Sequence, residues 1–272
     1  MTATRSTGLD AGISVVGEPA GAGLAVDGLT VFHGVVPAVR GVSLTCPHGE
    51  VTGVIGPNGA GKTSLLAGIA GIFKAGGTVV LDGSDISSWP THRRGQAGVT
   101  FVAERRRVFP SLSVRDNLMV GGWGLDRDEV AARIDEVYAL FPRLKEREGV
   151  PPFRLSGGEQ RMLSIGRALV TGARCLLFDE LSLGLSPRLV AQLTETVREL
   201  AAQGRMIVLV EQYIGVLLAV ADHVHVLERG RSVFDGPTVE TAAWLEEHGY
   251  MGARHRARPA PTALHDSTKE VG

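Results

Sequence analysis

The sequence predicts an α/β fold in which a mostly parallel core sheet carries an early antiparallel β portion and a mainly helical middle. Three observations predict it. Short apolar runs alternate with stretches of helical periodicity along most of the chain. One run opens into the glycine-rich stretch "GPNGAGKTS", with a helical pattern behind it. Another, "CLLFDE", ends in two carboxylates, and in open α/β sheets ligands collect at the C-terminal ends of the strands.

The elements follow in order. Residues 1–23, rich in Gly, Ala, Ser and Thr, read as a flexible arm. "GLTVFHG" and "AVRGVSLTC" read as strands, with period-two alternation clearest in the second. "EVTGVIG" is a buried strand leading into the glycine loop, and "KTSLLAGIAGIF" a helix leaving it. "GTVVLDG" and "AGVTFVA" are strands. "DRDEVAARIDEVYALFPRL" has helical spacing, with Asp126 or Asp128 as N-cap. The helical middle spans about 112–170 and ends in the helix that follows "RLSGG". After "CLLFDE" comes "PRLVAQLTETVRELAAQG", a helix with Pro187 at its start and Gly204 at its end. The strand "MIVLVE", a short helix and a hairpin in "HVHVLERGRSVFDG" complete the domain, residues 24–252. The tail, 253–272, is rich in Pro and charge and reads as disordered, with Arg254, Arg256 and Arg258 in solvent or, as the alternative, against anionic lipid head groups.

Composition narrows the function. Lys and Arg number 28 against 29 Asp and Glu, for a net charge of −1. That balance gives no global attraction to nucleic acid or anionic lipid. Cys46 and Cys175 lie in apolar surroundings without metal-ligand spacing, which reads as packing in a reducing compartment. No signal-peptide pattern opens the chain, and no run reaches the ~20 apolar residues of a membrane span.

The chemistry lies in three motifs. In Gly56, Pro57, Asn58, Gly59, Ala60, Gly61, Lys62, Thr63 and Ser64, the glycines let backbone N–H groups wrap phosphates. Lys62 adds positive charge, and the Thr63 hydroxyl is a ligand for Mg²⁺. Asp179 ends its strand as a second Mg²⁺ holder, and Glu180 is placed to orient or deprotonate an attacking water. Ser156, Gly157, Gly158 and Glu159 open a helix whose N-terminus suits an anion. Taken alone, Ser156 and Glu159 are a capping box and no more.

In this order, "GPNGAGKT", "LSGGEQ" and "LLFDE" make the chain resemble the ATP-binding-cassette ATPases, from about Leu24 to Gly252. The resemblance implies a P-loop NTPase of the ABC type with an antiparallel β subdomain and a helical subdomain bearing the signature motif. It also implies ATP sandwiched between two cassettes, so that Ser156–Glu159 grip the nucleotide held by a partner's phosphate loop. Permease subunits in the membrane, an extracytoplasmic solute-binding protein acting through them, and a place on the cytoplasmic face of the membrane follow from it. No nucleic-acid partner does: cassettes that work on DNA or ribosomes typically carry fused second cassettes or long coiled-coil insertions, and neither occurs here.

Finer features look like the LivF-type ATP-binding subunit of branched-chain amino acid importers. They are Glu104 in "VAERRRVFPSLSV", Gln212 in "LVEQY", "VYALFPRL" and "SLGLSP". This resemblance implies a LivG-type second subunit or a homodimer, and leaves urea, amides or another small polar solute as alternative cargo. Gln212 can donate an amide N–H to the γ-phosphate but cannot become cationic. Glu104 puts a carboxylate near the phosphates, which needs screening by Mg²⁺ or an arginine. Leu181 stands where relatives usually have Pro. For the aromatic that stacks on adenine, "VFHG" offers His33 and Phe32.

Overall fold

The computed structural model describes residues 23–103 and 108–250. The expected tail, Glu104 and all of the expected arm but Gly23, which opens the first strand, lie outside the described residues. The chain runs through β1 (Gly23–His33), β2 (Val36–Pro47), β3 (Val51–Ile55), α1 (Lys62–Ile69), β4 (Ala75–Leu81), β5 (Ser84–Asp85), α2 (Thr91–Gln96) and β6 (Val99–Val102). It continues through α3 (Val114–Gly121), α4 (Arg127–Leu140), α5 (Pro142–Glu146), α6 (Gly157–Val170), β7 (Cys175–Asp179) and α7 (Pro187–Ala202). The last elements are β8 (Met206–Val210), α8 (Ile214–Leu218), β9 (His223–Glu228), β10 (Arg231–Pro237) and α9 (Thr238–Glu247).

Two sheets organise these elements. The antiparallel sheet has the order β2-β1-β4-β5. The other has the order β10-β9-β3-β8-β7-β6, parallel from β9 to β6, with β10 added antiparallel at the edge. Every residue of β3, β7 and β8 is buried, as expected of central parallel strands covered on both faces.

One face of the parallel sheet packs through Val54, Val208 and Val210 on α1 (Leu65, Leu66, Ile69) and on the antiparallel sheet. The other face packs through Leu176, Phe178, Ile207 and Leu209 on α6, α7 and the helical middle. Each fully buried Leu or Ile here contributes roughly 1.5–3 kcal/mol of transfer free energy. Cys46 and Cys175 are buried free thiols, and burial pushes both pKa values up, Cys175 the further.

Two helices are shorter than the sequence pattern predicts. The helix leaving the loop stops at Ile69, because Gly71 turns to φ +71° and sends the chain toward β4. The long amphipathic stretch breaks at Phe141 into α4 and α5, since Pro142 has no N–H to continue the ladder. Of its two candidate caps Asp126 serves, accepting from the Asp128 N–H. Helices α2 and α9 have no counterpart in the sequence pattern, while α3 falls within the expected helical middle without a separate signal of its own.

Candidate active site

The glycine loop runs from the end of β3 into α1, so the helix N-terminus and the carboxyl end of the sheet face the same space. Gly61 caps α1 at φ +104° with no side-chain cap, which leaves the first-turn N–H groups for an anion. A Cβ on Gly61 would stand 2.5 Å from the Ala38 carbonyl oxygen, so no other residue fits. Lys62 Nζ donates to the carbonyls of Gly56 (2.9 Å) and Pro57 (3.2 Å). Burial lowers the pKa of this ammonium, with Glu180 and Asp179 pulling the other way.

The Thr63 hydroxyl donates to Asp179, 2.9 Å from one carboxylate oxygen and 3.2 Å from the other. Two hard oxygen donors thus meet at the helix start, a donor set that suits Mg²⁺. Glu180, one residue beyond β7, has φ +50°, a conformation that non-glycine residues enter only at a cost. Its N–H donates to the Val210 carbonyl (2.9 Å), and its carbonyl accepts from Arg161 Nη2 (2.9 Å). Arg161 Nη1 also reaches the Ala103 carbonyl (3.2 Å). One guanidinium on α6 therefore holds the chain where it leaves both β6 and β7.

His33, Asn58, Gly59, Gly61, Lys62, Thr63, Ser64, Glu180 and Gln212 line one open cleft of about 560 Å³, together with Ala38 and Leu183. Gly56, Pro57, Asn58 and Gln212 border an adjoining cleft of about 270 Å³. Ala60 is buried, its carbonyl accepting from the Gly230 N–H at 2.8 Å. His33 Nε2 lies 3.0 Å from Ser64 Oγ, and its ring meets Phe73 edge-on. Phe32 is not brought to the cleft. Successive strand residues point to opposite faces, and Phe32 borders a separate groove with Thr30, Pro37 and Arg40. A larger groove of about 820 Å³, between α4 and the turns before β7 and β8, holds none of these residues.

Ser156 caps α6 through a reciprocal box. Its hydroxyl accepts from the Glu159 N–H at 3.3 Å, while the Glu159 carboxylate accepts from the Ser156 N–H at 2.7 Å. Burial opposes ionisation of Glu159, but the Ser156 bonds with Arg147 and Arg143 together hold its pKa below the ordinary value. Gly158 packs so closely on α7 that a Cβ would lie 2.3 Å from Leu189 Cδ1. None of residues 156–159 lines the phosphate-loop cleft.

Sequence reasoning missed Glu211, beside Gln212. Only 1% exposed, its carboxylate accepts from the Ser182 N–H (2.9 Å) and hydroxyl (2.6 Å). Burial raises its pKa, with the Ser182 bonds opposing and Glu180 adding to the rise. The visible signal was a charged residue at the very end of an apolar strand, the same signal that marked Asp179.

A family model described as ABC transporter matches residues 39–182. The chain is 40% identical over 211 residues, 77% of its length and 91% of the relative's, to the high-affinity branched-chain amino acid transport ATP-binding protein BraG of Pseudomonas aeruginosa. It is 36% identical over 201 residues, 73% of its length and 84% of the relative's, to the probable branched-chain amino acid transport ATP-binding protein LivF of Archaeoglobus fulgidus. Among solved structures, an ATP-binding cassette of an ABC transporter superposes with a TM-score of 0.76 at 25% identity, over 84% of this chain and 96% of that one.

Proposed function

The chain belongs to the ABC transporter family as an ATP-binding, ATP-hydrolysing cassette, and on that premise we propose that it energises an importer of branched-chain amino acids. The observation that carries the catalytic part is the single cleft in which Lys62, Thr63, Glu180 and Gln212 meet, with Asp179 bonded to Thr63. The cargo follows the two relatives named for branched-chain amino acid transport. Such a cassette works with membrane permeases and a second cassette, here a LivG-type subunit or another copy. A solute-binding protein outside the membrane delivers the cargo. Among the described residues no helix is long and apolar enough to cross a membrane, which accords with a cassette docked on the cytoplasmic face of the permeases.

The residues divide the work. The loop N–H groups and Lys62 neutralise the β- and γ-phosphates. Thr63 and Asp179 would hold Mg²⁺, which screens phosphate charge when bound. The Glu180 carboxylate takes a proton from the attacking water or orients it. Gln212 donates an amide N–H toward the γ-phosphate. Ser156, Gly157, Gly158 and Glu159, absent from their own chain's cleft, offer α6 to the nucleotide of the opposing cassette. ATP binding closes the pair and hydrolysis reopens it, rocking the permeases between their two faces.

The test is a reconstituted complex. Isolation of the native assembly identifies its membrane subunits and any second cassette. Proteoliposomes containing it should take up leucine, isoleucine or valine on ATP addition and lose uptake with Glu180→Gln. ATP-driven uptake of urea or an amide, with none of the branched-chain amino acids, would reassign the cargo. Uptake and phosphate release untouched by Glu180→Gln would reject the assigned base.

A further inference from the structure

The hairpin of β9 and β10 brings together three groups for which nucleotide chemistry has no use. His223 and His225 are two apart on β9 and so project from one face. Asp235 on β10 pairs directly with His225 in the antiparallel register, which puts it on that same face. One ligand atom from each of the three lies within 4.8 Å of the others, and the two rings are 5.3 Å apart.

A second observation points to a ligand. His225 is 3% exposed, and its Nδ1 is buried with no hydrogen-bond partner among the described residues. A buried polar atom without a partner costs of order 1–3 kcal/mol. His223 is half-buried and Asp235 exposed, which leaves one side open for entry and for a water ligand.

We propose that His223, His225 and Asp235 form a binding site for a divalent transition metal of the zinc class. Two imidazoles and one carboxylate are a borderline donor set, matched to Zn²⁺ and its neighbours rather than to Mg²⁺ or Ca²⁺, which prefer all-oxygen shells. Around tetrahedral zinc, donor atoms stand about 3.4 Å apart, so atoms now within 4.8 Å of one another close in by at most about 1.4 Å, within reach of side-chain rotation. The ion fastens the edge strand β10 to β9 and thereby steadies α9, which follows directly.

The test uses the untagged, chelator-treated chain with Co²⁺ as a coloured stand-in. One equivalent should bind, develop visible d–d absorption, and be displaced by one equivalent of Zn²⁺ but not by millimolar Mg²⁺. His223→Gln and Asp235→Asn, both at accessible positions, should each weaken binding by at least about 100-fold, with circular dichroism unchanged. Metal should also protect His223 from diethylpyrocarbonate in the unmutated chain, a readout that survives if a variant fails to fold. Absence of saturable Co²⁺ binding, equal displacement by Mg²⁺, undiminished binding in both folded variants, or no protection of His223 would overturn the proposal. None of these readouts depends on ATP turnover or on the cargo.

Discussion

The Glu211 carboxylate accepts both the N–H (2.9 Å) and the hydroxyl (2.6 Å) of Ser182, closing a buried link between the end of β8 and the turn after β7. Ser182 lies two residues beyond Glu180, and Gln212 follows Glu211. The link therefore fixes the separation of two groups that line the cleft. Glu211 itself does not line that cleft, so the part open to it is to position Glu180 and Gln212.

Replacing Glu211 with Ala leaves the Ser182 N–H buried and unpaired and opens a small cavity. A stability loss of about 2–3 kcal/mol is expected by chemical denaturation. Phosphate-release assays should show kcat falling more than KM for ATP rises, with Glu211→Gln restoring most of it. Equal loss in both variants would assign Glu211 a different part.

The pH dependence of that link has a definite sign. The folded state holds the Glu211 proton more tightly than the unfolded state, so ionising it takes stability away. As pH climbs from the ordinary value of 4.5 through the raised folded one, the unmutated chain should lose stability relative to Glu211→Gln. Denaturation curves at several pH values measure it.

His48 carries the opposite dependence. Its ring bridges the Gly204 carbonyl (3.0 Å) and Asp82 (2.7 Å). The Gly204 bond first, and Asp82 second, raise its pKa above 6.5. The contribution is full below the unfolded value and fades as pH rises through the folded one. Thermal midpoints of His48→Gln should fall short of the parent at pH 5.5 and converge with it at pH 9.

Glu180 sits at φ +50°, so chemistry and stability pull in different directions. Glu180→Gln and Glu180→Gly should both lower turnover by at least about 100-fold. The glycine variant should melt no lower than the glutamine one, because it relieves the backbone conformation. A lower midpoint for glycine would show that the side chain itself stabilises the turn.

Gly158 allows α6 to lie against Leu189 of α7. Gly158→Val should leave ATP binding by the isolated chain within about twofold, since no residue of 156–159 lines its own cleft. Cooperative hydrolysis in the assembled pair should collapse. Loss of binding in the isolated chain would instead place this helix in cis.

The local pattern alone announced the phosphate loop, the capping box of α6, two candidate caps for α4, the Pro187 start of α7, the hairpin and the buried central strands. Loop chemistry, capping and strand burial depend on residues a few positions apart, so they can be read along the chain. The face on which a side chain stands is different. Phe32 and His33 looked interchangeable in the sequence, and the alternation of β1 put only His33 in the cleft.

The sequence by itself determined the loop, the two carboxylates of "FDE" and the second glycine pair. Only the tertiary structure decided that Arg161 ties both strand exits to α6, that Glu211 holds Ser182, and that His223 and His225 share a face with Asp235. The reason is physical. Those contacts join residues distant along the chain or on separate strands, and whether they meet depends on strand order, register and packing.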